Sequence, residues 1–522
     1  MMRLPISVTM LVKNAEKYLA KSLSSLKDFP EIIVLDNGST DRSIEIAKQF
    51  TNVKIYHSPF IGFGPMKNLV ATYASYDWIL NIDSDEILQP QLIQEISQLN
   101  FDEPRKVYAL LRINHYRGKP IKTCGWYPDF VKRLYNKKLV KFDDKRVHEA
   151  LEIADDIQVV RLKHEFNHYS FDSSEMLINK MQHYTALFAE QQKYRKKSSV
   201  LSAIAHGIVA FFKSYILKRG ILSGGDGFII SFANASGSYY KYIKLMEANQ
   251  SLTTALIITT YNRPDALEAV LVSVLAQSLL PNEVIIADDG STEDTKELIQ
   301  KYQAIFPIPL KHVWQPDTGF RLAESRNKAL SLVESEYVIT IDGDMVLHPQ
   351  FISDHRKAAE KNVFVGGGRI LLTKDKTTAL LQSSEQYSSF KWYEKGLETR
   401  FEKRLMALHI PFLSEFIQRT KRVHYYNGIR GCNMAFFLSD ALEINGFNND
   451  FVGWGREDSE FVARFFNNGG KRKNIKFAAI AYHLWHPEED RKALPVNDEL
   501  LKRAIEDKLV FCSNGLNQIK LD

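Results

Sequence analysis

The chain has 522 residues, 45% of them apolar and 25% charged, with 17 prolines and 26 glycines; this excludes a disordered or collagen-like chain and, at about 150 residues per domain, a single small domain. The net charge of +6 is too modest over this length to call for a nucleic-acid partner, and an anionic membrane or acceptor suits it equally. Cys124, Cys432 and Cys512 are too few and too scattered for a disulfide framework or a thiolate zinc site, which points to a reducing, cytoplasmic setting.

Taken in chain order, residues 1–12 read as a first β-strand rather than a signal peptide, because Lys13-Asn14 follow at once and no small-residue cleavage site appears. A helical pattern to Leu26, a strand over 32–35 and the turn Asp36-Asn37-Gly38-Ser39 come next. Lys67-Asn68 then open onto a helix, a strand over 78–82 and Asp83-Ser84-Asp85. The apolar stretch 200–216 is shorter than the roughly 20 residues a bilayer span needs, and it contains His206 and Lys213. Its basic flanks, Lys193, Arg195, Lys196 and Lys197 before it and Lys218 and Arg219 after it, suit a helix lying in an anionic interface, with an ordinary core helix as the alternative.

From Thr254 the same order repeats: a strand, Thr260-Tyr261-Asn262-Arg263-Pro264, a helix, a strand over 284–287, Asp288-Asp289-Gly290-Ser291, Arg326-Asn327 and Asp342-Gly343-Asp344. Offsets between matched residues grow only from 248 (Asn14 to Asn262) to 259 (Asp83 to Asp342), as expected of one duplicated unit with short insertions. Alternating strands and helices predict a mostly parallel, doubly wound sheet in each copy, with ligands at the carboxyl ends of the strands. Asp36, Asp83, Asp288 and Asp342 all fall there. The predicted domains are 1–248 and 249–522, joined by a short linker near Asn249. Asp-x-Asp alone is a weak signal. Recurring at the corresponding strand end of a repeat, it fits hard oxygen ligands holding Mn²⁺ or Mg²⁺ against a diphosphate.

These motifs resemble family-2 glycosyltransferases of the GT-A fold, so the resemblance implies an α/β chain of two tandem Rossmann-like nucleotide-diphospho-sugar transferase domains using UDP-sugar donors. On that likeness the uracil contact falls to Asp36 in the first copy and to Asp288 or Asp289 in the second. Lys67-Asn68 and Arg326-Asn327 shape the nucleotide-sugar pocket with Asp83 and Asp342, while Asp85 and Asp344 bind metal.

Gly453-Trp454-Gly455-Arg456-Glu457-Asp458 and Ala481-Tyr482-His483-Leu484-Trp485-His486 resemble the carboxyl-terminal part of β-1,4-galactosyltransferases and of bacterial chondroitin-type polymerases. That likeness implies sugar stacking on Trp454, hydroxyl binding by Glu457, Asp458 as general base and either His483 or His486, with His486 favoured, as a metal ligand. In Gly428-Ile429-Arg430-Gly431-Cys432-Asn433, Asn433 is expected on the donor sugar and Cys432 as a small buried hydrophobe.

The first copy diverges after Asp85. Its Arg146-Val147-His148-Glu149, His164-Glu165-Phe166-Asn167-His168 and Gly224-Gly225-Asp226-Gly227 are similar to lipopolysaccharide-core glucosyltransferases acting on heptose. Glu149 is then the expected base and His168 the counterpart of His486, with His164 a competing ligand and a structural ion pair the plainer role for Glu149.

Together these readings imply a bifunctional inverting enzyme adding two sugars to a lipooligosaccharide core or a lipid-linked glycan, peripheral at the cytoplasmic face of an anionic inner membrane. A two-site capsule polymerase and one degenerate binding copy are the alternatives. A nucleotidyltransferase is disfavoured, since no glycine-rich triphosphate loop follows either first strand.

Overall fold

Runs of branched apolar residues become the central strands of each half. In the computed structural model, which describes residues 4–144, 149–382, 389–397, 400–420, 429–487 and 490–519, β1 (Ile6–Val12), β2 (Glu31–Asp36), β3 (Val53–His57) and β4 (Trp78–Asn81) pair in parallel in the order β3-β2-β1-β4. Every residue of β2 is buried, as expected of a parallel strand covered on both faces. Val8, Met10 and Leu80 pack on one face, and Ile33, Leu35 and Ile79 on the other. The helix α1 (Phe63–Thr72) precedes β4. β5 (Glu86–Leu88), β6 (Lys106–Tyr116), β7 (Asp129–Asn136) and β8 (Gln158–Phe171) extend the sheet in the order β4-β7-β6-β8-β5, with only β6 and β8 running parallel. Three helices follow: α2 (Ser174–Gln192), α3 (Val200–Phe212) and α4 (Gly224–Gln250).

The second half repeats the plan. β9 (Thr254–Thr260), β10 (Glu283–Asp288), β11 (Leu310–Trp314) and β12 (Tyr337–Asp342) form the parallel set, with α5 (Leu322–Ser331) before β12. β13 (Met345–Leu347), β14 (Val363–Gly366), β15 (Gly368–Leu371), β16 (Asn433–Phe437), β17 (Lys471–Asn474) and β18 (Ile480–His483) complete it around α6 (Glu457–Asn467). The main sheet runs β11-β10-β9-β12-β16-β14-β17, and β13-β18-β15 form a small second sheet. The continuous parallel set is thus four strands per half. Long returning segments add the remainder mostly antiparallel, a mixture that local periodicity does not announce.

The chain divides into two units, residues 1–191 with 198–246, and 192–197 with 247–522. Where a linker was expected near Asn249, α4 continues to Gln250, so the connection shortens to Ser251, Leu252 and Thr253.

Each half also buries a carboxylate at the start of its second strand. Glu31 accepts hydrogen bonds from Lys54 Nζ (2.8 Å), Ser75 N (2.6 Å) and Ser75 Oγ (2.9 Å). Glu283 does the same with Lys311 Nζ (2.9 Å), Ser335 N (2.9 Å) and Ser335 Oγ (2.7 Å). Burial opposes ionisation of Glu31, but the bonds from Lys54, Ser7 and Ser75 outweigh it and hold the carboxyl at about 2. A folded-state value below the unfolded one stabilises at neutral pH, and that contribution fades as pH falls from about 4.3 through the folded value. Glu31→Gln is therefore expected to cost about 2 kcal/mol at pH 7, with the gap to wild type closing between pH 4 and pH 2 in chemical denaturation.

Candidate active site

In the second unit, β12 delivers Asp342 to the sheet's carboxyl edge and a tight turn follows. A Cβ on Gly343 would lie 2.5 Å from the Thr259 carbonyl oxygen, so only glycine lets the chain pass there. β13 then pairs antiparallel with β18, setting Met345 opposite His483. That register brings His483 Nε2 to 3.4 Å and His486 Nε2 to 3.2 Å from Asp344 Oδ2. The three side chains can offer one ligand atom each within 4.8 Å of one another, and among the described residues no other group of three histidines, cysteines or carboxylates does so.

Two features fit this set to a divalent cation. Asp344 Oδ1 is buried without a hydrogen-bond partner, and burial pushes His483 below its usual value, leaving a neutral imidazole with a lone pair to donate. Burial works against ionisation of Asp344, yet the His486 bond and both imidazoles hold its carboxyl below the usual range. Asp342 goes the other way, raised by burial and by Asp344 against the opposing charge of Arg326.

Arg326, on α5 and only 1% exposed, organises the neighbouring carboxylates. Its Nη2 donates to Asp342 Oδ1 (3.1 Å) and its Nη1 to Glu457 Oε1 (3.0 Å). Burial and the adjacent Asp458 push Glu457 up to about 7, with Arg326 opposing. Asp458 is less enclosed: Oδ2 accepts from Gly431 N (2.6 Å) and Oδ1 from Ser459 Oγ (3.0 Å). The turn before α6 bends through Gly453, Gly455 and Arg456, all at positive φ, and leaves Trp454 partly exposed, with the Arg491 guanidinium 5.3 Å from its ring centre. A cleft of about 1100 Å³ joins Asp289, Arg326, Asp342, Asp344, Trp454, Glu457, Asp458, His483 and His486. Cys432 also borders it, but burial raises its thiol to about 12, which excludes an active nucleophile.

Three asparagines expected to shape or line the donor pockets use their amides within the protein. Asn327 is fully buried, donating to Phe447 O (2.7 Å) and accepting from Phe447 N (2.8 Å). Asn68 clamps Phe142 in the same way, with both bonds 2.8 Å. Asn433 is likewise spent internally, on the Gly368 and Ala479 carbonyls and on His355 Nε2, all at 2.9 Å. These amides hold the backbone behind the site. Of the two aspartates after β10, Asp288 closes its own turn through Ser291 N (2.8 Å) and binds His312 Nε2 (3.0 Å), whereas Asp289 borders the cleft. Asp36 resembles Asp288, capping its turn through Ser39 N (3.1 Å) and contacting His57 Nδ1 (3.2 Å).

The first unit assembles a related but different centre. Lys67 Nζ lies 2.7 Å from Glu149 and 3.9 Å from Asp83, as Arg326 does with Glu457 and Asp342. By shared partner, Glu149 matches Glu457 and not Asp458. Residues 146–148 of the Arg-Val-His-Glu motif, and Gly428 in the second unit, lie outside the described residues. β8 sets His168 opposite Glu86, one residue past Asp85, with Nε2 3.4 Å from Asp85 Oδ2. Since β18 places His483 opposite the residue after Asp344, the register makes His168 the counterpart of His483, correcting the expected match to His486. Asn114 Oδ1 (2.7 Å) and Ser170 Oγ (2.8 Å) fix the other ring nitrogen. His164 pairs with Glu95 at 2.9 Å.

Arg133, which no sequence motif marks, sends Nη2 to Asp83 (2.6 Å) and Glu86 (2.5 Å); its one signal in the sequence is a charge inside the apolar half of a strand. Burial disfavours the charged Asp83, but Arg133 and Lys67 override it and hold its carboxyl far below the usual range.

A parallel sheet with paired aspartates at its carboxyl edge, a strand-matched histidine and a buried helix cation is the arrangement of a GT-A sugar transferase. The chain belongs to glycosyl transferase family 2, which it matches over residues 7–161 and 255–421, and residues 413–487 match the N-terminal domain of galactosyltransferase. An uncharacterized glycosyltransferase of Rickettsia typhi is 30% identical over 49% of this chain and 91% of its own. Chondroitin synthase of Escherichia coli is 28% identical over 46% of this chain and 36% of its own length. A solved mannosyltransferase from Pyrobaculum calidifontis, in complex with GDP-Man and Mn²⁺, aligns with a TM-score of 0.33 at 18% identity, over 49% of this chain and 65% of that one.

Proposed function

We propose that the chain is a bifunctional inverting glycosyltransferase with one centre in each of two domains, 1–248 and 249–522, adding successive sugars from UDP-sugars to a lipooligosaccharide core or related surface glycan. The observation that carries this reading is the duplicated relay, Asp83–Lys67–Glu149 and Asp342–Arg326–Glu457, each beside an Asp–His pair. The first centre is assigned glucose and the second galactose or an N-acetylhexosamine, on the resemblances of their motifs.

In the second centre Asp458 takes the proton of the acceptor hydroxyl as that oxygen attacks the anomeric carbon from the face opposite the diphosphate, whose bond to the sugar breaks. Trp454 is assigned to stacking on a sugar ring, and Asp289, at the cleft's edge, to contact with the base of the nucleotide. Mn²⁺ or Mg²⁺, held by Asp344, His483 and His486 and in the first unit by Asp85 and His168, would supply charge to the leaving diphosphate. In the first centre Glu149 is the proposed base, held by Lys67.

The likeness to chondroitin synthase favours a second reading, a polymerase alternating two sugars. A panel of UDP-sugars with Mn²⁺, read as nucleotide release and acceptor mass, tests both. Two donors used, EDTA sensitivity and one addition per centre support the bifunctional enzyme. A repeating mass ladder supports the polymerase, and no release from any UDP-sugar overturns both.

A further inference from the structure

The helix α3 is inverted relative to a water-soluble helix. Its packed side is made of small residues: Ala203 is fully buried, and a Cβ on Gly207 would meet Tyr239 Cβ at 3.3 Å and the Ala235 carbonyl oxygen at 3.5 Å, so α3 lies close against α4. Ser214, just past α3, continues this seam through Ser231 Oγ (3.0 Å) and Asn234 Nδ2 (3.1 Å). The large apolar side chains point away from it. Leu201 is 80% exposed, Val209 63%, Phe212 58% and Leu217 75%, and Ile208, Leu222 and Phe232 join them. Small residues packed inward and large aliphatic residues turned outward is the pattern of a lipid-facing helix. In water it leaves an apolar patch that a monomeric soluble protein rarely shows.

Charge says what covers it. Lys213, Lys218 and Arg219 are exposed among these apolar residues, and among the described residues no ion pair engages them. The segment Val200–Leu217 has a mean hydropathy of 1.7 over 18 residues, about 27 Å of helix, just under the thickness of a hydrocarbon core. With lysine inside it and one side packed along α4, it is built to lie in the head-group region rather than to cross. Behind it opens a cavity of about 920 Å³ lined by Lys180, Lys213, Lys218 and Lys241 and reaching Asp83 and His168.

We propose that the outer face of α3 and α4 docks on an anionic lipid bilayer, and that the lysine-lined cavity admits the phosphate-bearing head of a lipid there toward the first centre. Delivery of a lipid-linked acceptor rests on the transferase reading above, whereas the docking does not and is measured without any sugar transfer.

The test is co-sedimentation of the full chain with vesicles of 7:3 phosphatidylcholine and phosphatidylglycerol, against phosphatidylcholine alone. Wild type is expected to bind the anionic vesicles at least tenfold more tightly. Leu201→Ser/Val209→Ser/Phe212→Ser is expected to lose that binding at least tenfold, with thermal melting and nucleotide release by the second centre unchanged. Lys218→Glu/Arg219→Glu is expected to remove the anionic preference. Failure of wild type to sediment, equal binding to both vesicle types, or a triple variant that binds as wild type does would each overturn the proposal; so would a wild-type oligomer that the triple variant dissociates without loss of vesicle binding, which would make the face a self-association surface.

Discussion

Asp344→Ala is expected to silence the second centre by about a thousandfold while transfer by the first centre continues. Asp344 Oδ1 is buried without a hydrogen-bond donor, a state that costs about 1–3 kcal/mol, and its carboxylate raises the neighbouring Asp342. The alanine variant removes that cost together with the His483 and His486 contacts, so its melting temperature in metal-free buffer should stay close to that of wild type. Added Mn²⁺ should raise the wild-type melting temperature, because a ligand that binds only the folded state stabilises it, and the same addition should leave the variant nearly unmoved. Asp85→Ala should do the converse for sugar transfer, losing the first centre and sparing the second. Loss of both transfers from either substitution, or a Mn²⁺ shift that survives Asp344→Ala, would defeat the assignment of two separate centres. The first centre supplies two described ligand side chains where the second supplies three, so its metal dependence should saturate at the higher Mn²⁺ concentration.

How much of this was legible in the sequence depends on the range of the interaction. The duplication was plain because both copies keep their elements in order. The constant offset of 259 from Lys67 to Arg326 and from Asp83 to Asp342 anticipates that both cations face matching aspartates, as they do. The match of His168 was not legible. It follows Asp85 by 83 residues, whereas His483 follows Asp344 by 139, and only the pairing of β8 with β5 and of β18 with β13 shows the two to be equivalent. Such register is fixed by long-range sheet closure and leaves no local mark. The internal bonds of the asparagines were hidden for a related reason. An amide beside a sugar site looks like a ligand in sequence, but Asn68, Asn327 and Asn433 sit where buried backbone groups need partners, a demand that appears only once the chain is folded. The outward apolar face of α3 gave a clear composition signal, yet its direction required the packing against α4.

The sharpest chemical expectation concerns Asp458 and Glu457, two adjacent carboxylates whose surroundings separate their roles. Glu457 is engaged by Arg326 at 3.0 Å and raised to about 7 by burial and by Asp458, so near neutrality it spends part of its time protonated, and a protonated carboxyl cannot take the acceptor's proton. Asp458 borders the cleft and is aimed by the Gly431 amide at 2.6 Å; a Cβ on Gly431 would sit 3.3 Å from Asp458 Cβ, which fixes how closely backbone and carboxylate approach. Asp458→Asn keeps the shape and removes the basic oxygen. It should lower kcat by about 10² to 10⁴ with the KM for the nucleotide sugar within a factor of about three, and formate should restore part of the turnover in Asp458→Gly. Glu457→Gln should act differently: with the arginine's neighbour neutral, the main change should fall on substrate binding, and any ionisation near pH 7 in kcat/KM should disappear. If Glu457→Gln instead abolishes turnover while Asp458→Asn leaves it intact, the base is Glu457, and the two centres then become equivalent, because Glu149 holds that same position beside Lys67 in the first unit.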